Sequence, residues 1–319
     1  MQGAWSAPRS NQVAEQFLHF GMCDASAAIA LTDRAFVVAN DEDNRLRVYF
    51  RDESGSAVWS IDMSRFLEVD RAYPETDIEG AARVGNVIYW ITSHGRNREG
   101  EWRESRRRFF ATQLEGEGSH LNLVPAGRPY RGLIDDLAGH PELLDLDLAE
   151  AGQRAPKAAG GLNIEGLAAG PGGTLWIGFR NPIPEGRAVL VRLLNPAEVI
   201  EGHRAKLGEV VWLDLAGCGI REITWSGSDY VIVAGAFDGK GKSRIYRWPG
   251  PGMEPRRLGE IDLAGFNAEA VVFFPGSDGH EFHLLSDDGS KEVGGVACKE
   301  LSNPSQRSFR SMRINIGLD

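Results

Sequence analysis

Asn163-Ile164-Glu165-Gly166-Leu167-Ala168-Ala169-Gly170-Pro171-Gly172-Gly173-Thr174-Leu175-Trp176-Ile177-Gly178-Phe179 reads as two short strands joined by a tight turn. The first strand is built of small residues and the second of β-branched, aromatic and leucine residues, with Pro-Gly-Gly between them. The same hairpin recurs four more times. Its small-residue strands are Ala25–Leu31, Ile78–Val84, Arg221–Trp225 and Ala268–Phe274, and the runs that follow are Ala35–Asn40, Val87–Thr92, Tyr230–Gly235 and Glu281–Ser286. Small residues suit an innermost strand, where blades crowd around an axis. Further strand-like runs follow most copies, such as Arg47–Phe50 then Val58–Met63, and Ala188–Leu194 then Val210–Leu215. Four strands in a repeat of about 50 residues make the unit of a β-propeller. A β-sandwich does not predict one hairpin type returning at this period. The expected fold is an all-β propeller of five blades, forming a single domain over residues 1–319.

Outer strands close at Ile61-Asp62-Met63, Leu213-Asp214-Leu215 and Ile261-Asp262-Leu263, six or seven residues before the next inner-strand glutamate in the later repeats. Phe20 stands six residues before Ser26 in the same way. Residues 13–20 therefore read as an outer strand without a blade of its own, completing the last blade beside Phe309–Ile316 and leaving no open edge. The interval from Glu79 to Glu165 is 86 residues, against 57 and 47 for the next two. Its excess holds Leu133/Leu137 and Leu144/Leu148 at i, i+4 spacing, with Pro141 placed to begin a helix. We expect a short helical insertion around residues 129–155; a sixth, degenerate blade is the alternative.

The 39 glycines in 319 residues fit many tight turns. A net charge of −10 opposes sequence-independent binding to nucleic acid or an anionic membrane. No run approaches the ~18 apolar residues of a membrane-spanning helix. Met1–Ser10 lacks the basic-then-apolar pattern of a signal peptide. Cys23, Cys218 and Cys298 are odd in number, widely spaced and without a CxxC pair. The expectation is three packing thiols in a reducing compartment, and a cytoplasmic, monomeric protein without a nucleic-acid or membrane partner.

Aligned on the inner strands, Ser26, Glu79, Glu165, Glu222 and Glu269 share one position. Two residues earlier stand Asp24, Asp77, Asn163, Ile220 and Asn267. Four glutamates at one register form a far stronger signal than any single carboxylate. Two carboxylates ~6 Å apart at an effective dielectric of ~20 repel by roughly 3 kcal/mol, so a ring of four needs a cation, shared protons or inserted arginine. Hard oxygen ligands suit Ca²⁺ or Mg²⁺ better than zinc. The expected metal ligands are Glu79, Glu165, Glu222 and Glu269; the other reading is that each glutamate caps backbone N–H groups of the neighbouring blade.

The same face receives the ends of the second strands, Asn40-Asp41, Ser93-His94, Arg180-Asn181, Phe237-Asp238 and Asp287-Asp288. Asp24, Asp77, Asn163, Asn267, Asn181, Asp238 and Asp288 are the expected ligand-binding residues, with Arg180 to orient an anion and His94 as a candidate base. The arginine-rich loop from His94 to Arg108 reads either as a lid that contacts an anionic group or as a solvated mixed-charge loop. No GxSxG, HExxH or phosphate-cradling glycine loop is present.

Asp77-Ile78-Glu79-Gly80-Ala81-Ala82, Gly161-Leu162-Asn163-Ile164-Glu165-Gly166-Leu167-Ala168 and Trp176-Ile177-Gly178-Phe179-Arg180-Asn181-Pro182 resemble the bacterial family catalogued as domain of unknown function 3616. The resemblance runs from about Phe20 to Ile316. That family is similar to phytase-like esterase propellers and, more distantly, to gluconolactonase-type propellers with a divalent cation at the channel mouth. It implies a propeller and a site location, not a reaction. Ser26, where the first repeat lacks glutamate, departs from a complete ring. The expected function is a metal-dependent hydrolase of a small anionic ester, phosphoester or lactone. The alternative is a non-catalytic scaffold that binds a peptide or partner protein.

Overall fold

A computed structural model of the chain describes residues 15–315 apart from 117, 260 and 278. Five sheets stand around one axis, antiparallel throughout except that Gly55–Ser56 adds a short parallel strand outside Gln16–Phe20 in the fifth. Blade 1 runs Ala27–Ala30, Ala35–Ala39, Arg45–Phe50, Trp59–Asp62, and blade 2 runs Ile78–Val84, Val87–Thr92, Phe109–Glu115, Asn122–Tyr130. Blade 3 is Asn163–Ala169, Leu175–Asn181, Ala188–Leu193, Leu207–Leu213, and blade 4 is Gly219–Trp225, Tyr230–Gly235, Arg244–Trp248, Arg256–Arg257. Blade 5 starts with Ala268–Val272, Glu281–Ser286 and Ser308–Asn315, and its fourth strand comes from the other end of the chain. Gln16–Phe20 pairs antiparallel with Ser308–Asn315, from Gln16 opposite Met312 to Phe20 opposite Ser308. Val13 and Ala14 of the expected closing strand, and Ile316 of its partner, lie outside the described residues.

The count of five settles the insertion, with one correction to its bounds. Residues 129 and 130 still belong to the outer strand of blade 2. The helical part follows as Leu133–Ala138, a 3-10 turn Pro141–Leu146, and Leu148–Ala151. Leu133, Leu137, Leu143 and Leu148 bury their side chains in one cluster with Phe109 of blade 2 and Leu167 of blade 3. Leu133, Leu137 and Leu148 thus fill the space between two blades as their spacing implied, whereas Leu144 is 60% exposed and Leu143 packs in its stead; a sixth blade is not formed among the described residues.

Ring closure also corrects the reading of the cysteines. Cys23 and Cys298, 275 residues apart in sequence, are joined in a disulfide, and Cys218 alone is a buried free thiol. Wide spacing in sequence said nothing of distance in space, because a propeller returns its last blade to its first. The bond ties the approach to blade 1 to a small hairpin, Glu292–Val293 with Val296–Ala297, inserted in blade 5.

Candidate active site at the acidic mouth

In four blades the inner strand carries a register shift near its start. The skipped residues are Glu79, between the pairs Ile78/Thr92 and Gly80/Ile91, and Glu165, between Ile164/Phe179 and Gly166/Gly178. In blade 5 the skipped residue is Glu269, and in blade 4 it is Arg221. A β-bulge leaves one residue out of the ladder and re-aims its side chain, and here it turns that side chain toward the channel. Glycine follows the bulge in blade 3 because a Cβ on Gly166 would stand 2.8 Å from Ile220 Cγ2 of the next blade. Gly219 has a similar reason, since a Cβ there would overlap the Arg180 carbonyl oxygen.

The bulges correct the expected ring by one residue in blade 4. Arg221, not Glu222, occupies the shared position. Glu222 is buried outside the cavity, its Oε2 has no hydrogen-bond partner, and desolvation pushes its carboxyl well above the usual range. A raised carboxyl pKa favours folding below the unfolded pKa, and that contribution is lost as pH rises toward the folded value. Glu222→Met should therefore stabilise the protein by about 1–3 kcal/mol at neutral pH, with a smaller gain near pH 4. Calorimetric melting at the two pH values checks this; a destabilised Glu222→Met protein would mean the carboxyl has a partner that matters.

The mouth is a cavity of about 680 Å³ lined by acids and bases from all five blades. Arg180 donates to Glu165 Oε1 at 2.5 Å, and Asn163 Nδ2 donates to the same oxygen at 2.8 Å. Burial works against the Arg180 charge, but Glu165 outweighs it and the pKa is raised. Arg221 pairs with Glu269, donates to Asn267 Oδ1 at 2.7 Å and stands 3.8 Å from Glu165 Oε2. Burial, and then Arg180, push Arg221 down to about 10. Asn267 passes the network on to Asp287 Oδ2 at 2.9 Å. Inserted arginine is therefore what offsets the glutamates of blades 3 and 5. Ser26 instead links two blades as a donor, its Oγ donating to Ile78 O at 2.6 Å across the gap to blade 2.

Negative charge left without such compensation collects elsewhere. Glu79 is pushed well up by burial, then by Asp77, Glu165 and Asp41. Asp77 is raised by burial although Arg106 opposes the shift. Arg106 binds Asp77 and Glu75, and with Arg98 it brings the arginine-rich loop to the cavity wall. The rest of that loop packs rather than closes: Arg96 donates to Gly152 O and Arg108 to Leu67 O.

Of the expected site residues, Asp24, Asp77, Asn163, Asn267, Asp238, Arg180, Glu79, Glu165 and Glu269 line the cavity. Four do not. His94 is fully buried, its Nδ1 lies 2.7 Å from Thr92 O, and burial pushes its pKa down to about 3, so it stays neutral and away from the cavity. Asn181 holds the end of the insertion through Pro156 O and Ala158 O. Asp288 is paired with Arg310, and Glu222 is displaced as described. The sequence reading had not placed Arg221, Glu42 or Lys299 at the site, and had put Asp41 and Asp287 on its face without a role. Arg221 was detectable, because Ile78-Glu79, Ile164-Glu165 and Ile220-Arg221 align on isoleucine.

A second cavity of about 670 Å³ opens at the opposite mouth, where Arg83 is the charged lining residue among those described and alanines dominate the walls. The titratable chemistry lies at the acidic mouth.

Solved structures similar to the chain include a glutaminyl cyclase of Myxococcus xanthus at 12% identity, covering 96% of this chain and 97% of that one with a TM-score of 0.49. An aldose sugar dehydrogenase of Streptomyces coelicolor in PQQ-bound form matches at 11% identity, 95% and 98% coverage and a TM-score of 0.44. A putative glucose dehydrogenase of Thermus thermophilus matches at 16% identity, 94% and 100% coverage and 0.43. At such identities none of these activities transfers to the chain. No curated protein matches significantly. The family model described as "Protein of unknown function (DUF3616)" matches residues 24–115 and 133–267, well over half the chain. With inner-strand bulges and channel residues of blades 2 to 4 inside that match, the chain belongs to the DUF3616 family.

Proposed function

We propose that the acidic mouth is a hydrolytic site for a small anionic ester, phosphoester or lactone. The observation that supports it most is the presence in one cavity of two buried guanidiniums, Arg180 and Arg221, and a buried carboxyl, Glu79, whose pKa burial raises well above the usual range. The guanidiniums fix the substrate's anion and stabilise charge that develops on the reacting group. Water forms the new bond to the acyl or phosphoryl centre, Asp77 takes its proton, and Glu79 donates a proton to the departing oxygen as that bond breaks. A divalent cation such as Ca²⁺ or Mg²⁺ was the expected cofactor, and the reaction above is written without it. The four glutamates first expected to hold it do not fit: Glu165 and Glu269 are already ion-paired and Glu222 lies elsewhere.

A panel of chromogenic esters, phosphoesters and lactones tests the reading. Glu79→Gln should lower kcat/KM about 10²–10⁴-fold on the active class while leaving the fold intact. Absence of turnover across all three classes would sink it and return the cavity to the binding-scaffold alternative, with a peptide as the ligand.

A further inference from the structure

We infer that Asp24, Asp41 and Glu42, with Asp287 beside them, form a calcium site off the channel axis, at the junction of blades 1 and 5. One oxygen from each of Asp24, Asp41 and Glu42 lies within 4.8 Å of the others, and all four residues line the acidic cavity. Ca²⁺ takes oxygen ligands at 2.3–2.6 Å, so ligands on opposite sides of the ion stand up to ~5 Å apart. Mg²⁺ at 2.0–2.1 Å spans only ~4 Å and demands a stricter octahedron. A carboxylate set drawn from loops of two blades suits the ion that tolerates irregular coordination, Ca²⁺.

Proximity of acids alone would not make a site. The second observation is Asp24 itself, 4% exposed and facing the cavity, with no N–H or O–H donor to its carboxylate among the described residues. Its polar neighbour is another carboxyl, that of Asp287. Asp41 Oδ1 is likewise enclosed without a hydrogen-bond partner. Burying such groups without compensation is costly, and a buried charge is ordinarily paired or bound to metal. Lys299 supplies part of that compensation from the rim, where its Nζ pairs with Glu42 at 2.7 Å.

The position is also held firmly. Asp24 bridges to Asp287 through the backbone, and the residue before Asp24 is disulfide-bonded to the residue before Lys299. The ligands therefore come from a closed, cross-linked corner, whereas the ring glutamates rely on arginine.

Calorimetric titration of chelator-treated full-length protein with CaCl₂, in the absence of substrate, tests the site. Wild type should bind one Ca²⁺, more tightly than Mg²⁺, and its melting temperature should rise by a few degrees at 100-fold excess over Kd. Asp24→Asn and Asp41→Asn should each weaken binding at least tenfold, and Glu269→Gln less than about threefold. Without cation, Asp24→Asn should melt at or above wild type because it removes repulsion, so a fold defect is separable from a binding defect. No heat and no thermal shift in wild type, or equal loss in Glu269→Gln, would overturn the assignment. Since substrate plays no part, that outcome would leave the hydrolase reading standing on its own test.

Discussion

Replacing Arg221 by methionine should lower the melting temperature by roughly 6–10 °C. The side chain is buried, pairs with Glu269, donates to Asn267 and sits near Glu165. Methionine keeps much of the length and removes the charge, leaving buried carboxylates without their counter-ion. Removing one partner of a buried pair typically costs ~3–5 kcal/mol, and in a domain of this size each kcal/mol corresponds to ~2 °C. The compensating change is as informative. Arg221→Met/Glu269→Met should recover most of the loss, because a buried pair replaced by apolar side chains is often close to neutral. Scanning calorimetry of the single and double variants decides it. A single variant within 1 °C of wild type would mean that Glu269 is neutral in the native state and that arginine is not what holds the ring together.

How far sequence led is clearest at that residue. Five hairpins were legible because β-branched and aromatic runs, turn residues and small inner strands recur at one spacing. The closing strand was legible for the same reason, through the distance from Phe20 to Ser26. What failed was the alignment of blade 4 by letter. Glu222 carries the right residue type and Arg221 the right place, and a one-residue slip in a strand changes which face a side chain meets. Bulges at Glu79, Glu165, Arg221 and Glu269 obey no simple composition rule, although the preceding isoleucine marks three of them. The acidic corner was legible only in part: the shared face of Asp24, Asp41 and Asp287 was, their mutual proximity was not. Asp24, Asp41 and Asp287 belong to two blades that are distant in sequence, and only ring closure makes them neighbours. His94 failed through burial, which periodicity in a loop does not report.

Ring closure itself rests on two devices, and the covalent one can be removed without touching the sheet. Reduction of Cys23–Cys298, or Cys298→Ser, should lower stability by about 2–4 kcal/mol, toward the lower part of what a loop of 275 residues allows by chain entropy. The estimate falls below the entropic ceiling because Gln16–Phe20 already pairs with Ser308–Met312 and holds the same two ends together. A reduced protein should therefore remain folded and melt roughly 4–8 °C earlier. Melting curves with and without a thiol reductant check this, with Cys218→Ser as the control since that thiol is free. Identical curves for wild type and Cys298→Ser under oxidising conditions would show that the strand alone closes the ring. The bond has a second consequence, because it is adjacent to Asp24 on one side and Lys299 on the other. If it orders the acidic corner, reduction should weaken Ca²⁺ binding more than Cys218→Ser does. Reduced protein that binds Ca²⁺ with unchanged affinity would assign the disulfide to closure alone, and leave the backbone bridge between Asp24 and Asp287 as what positions the corner.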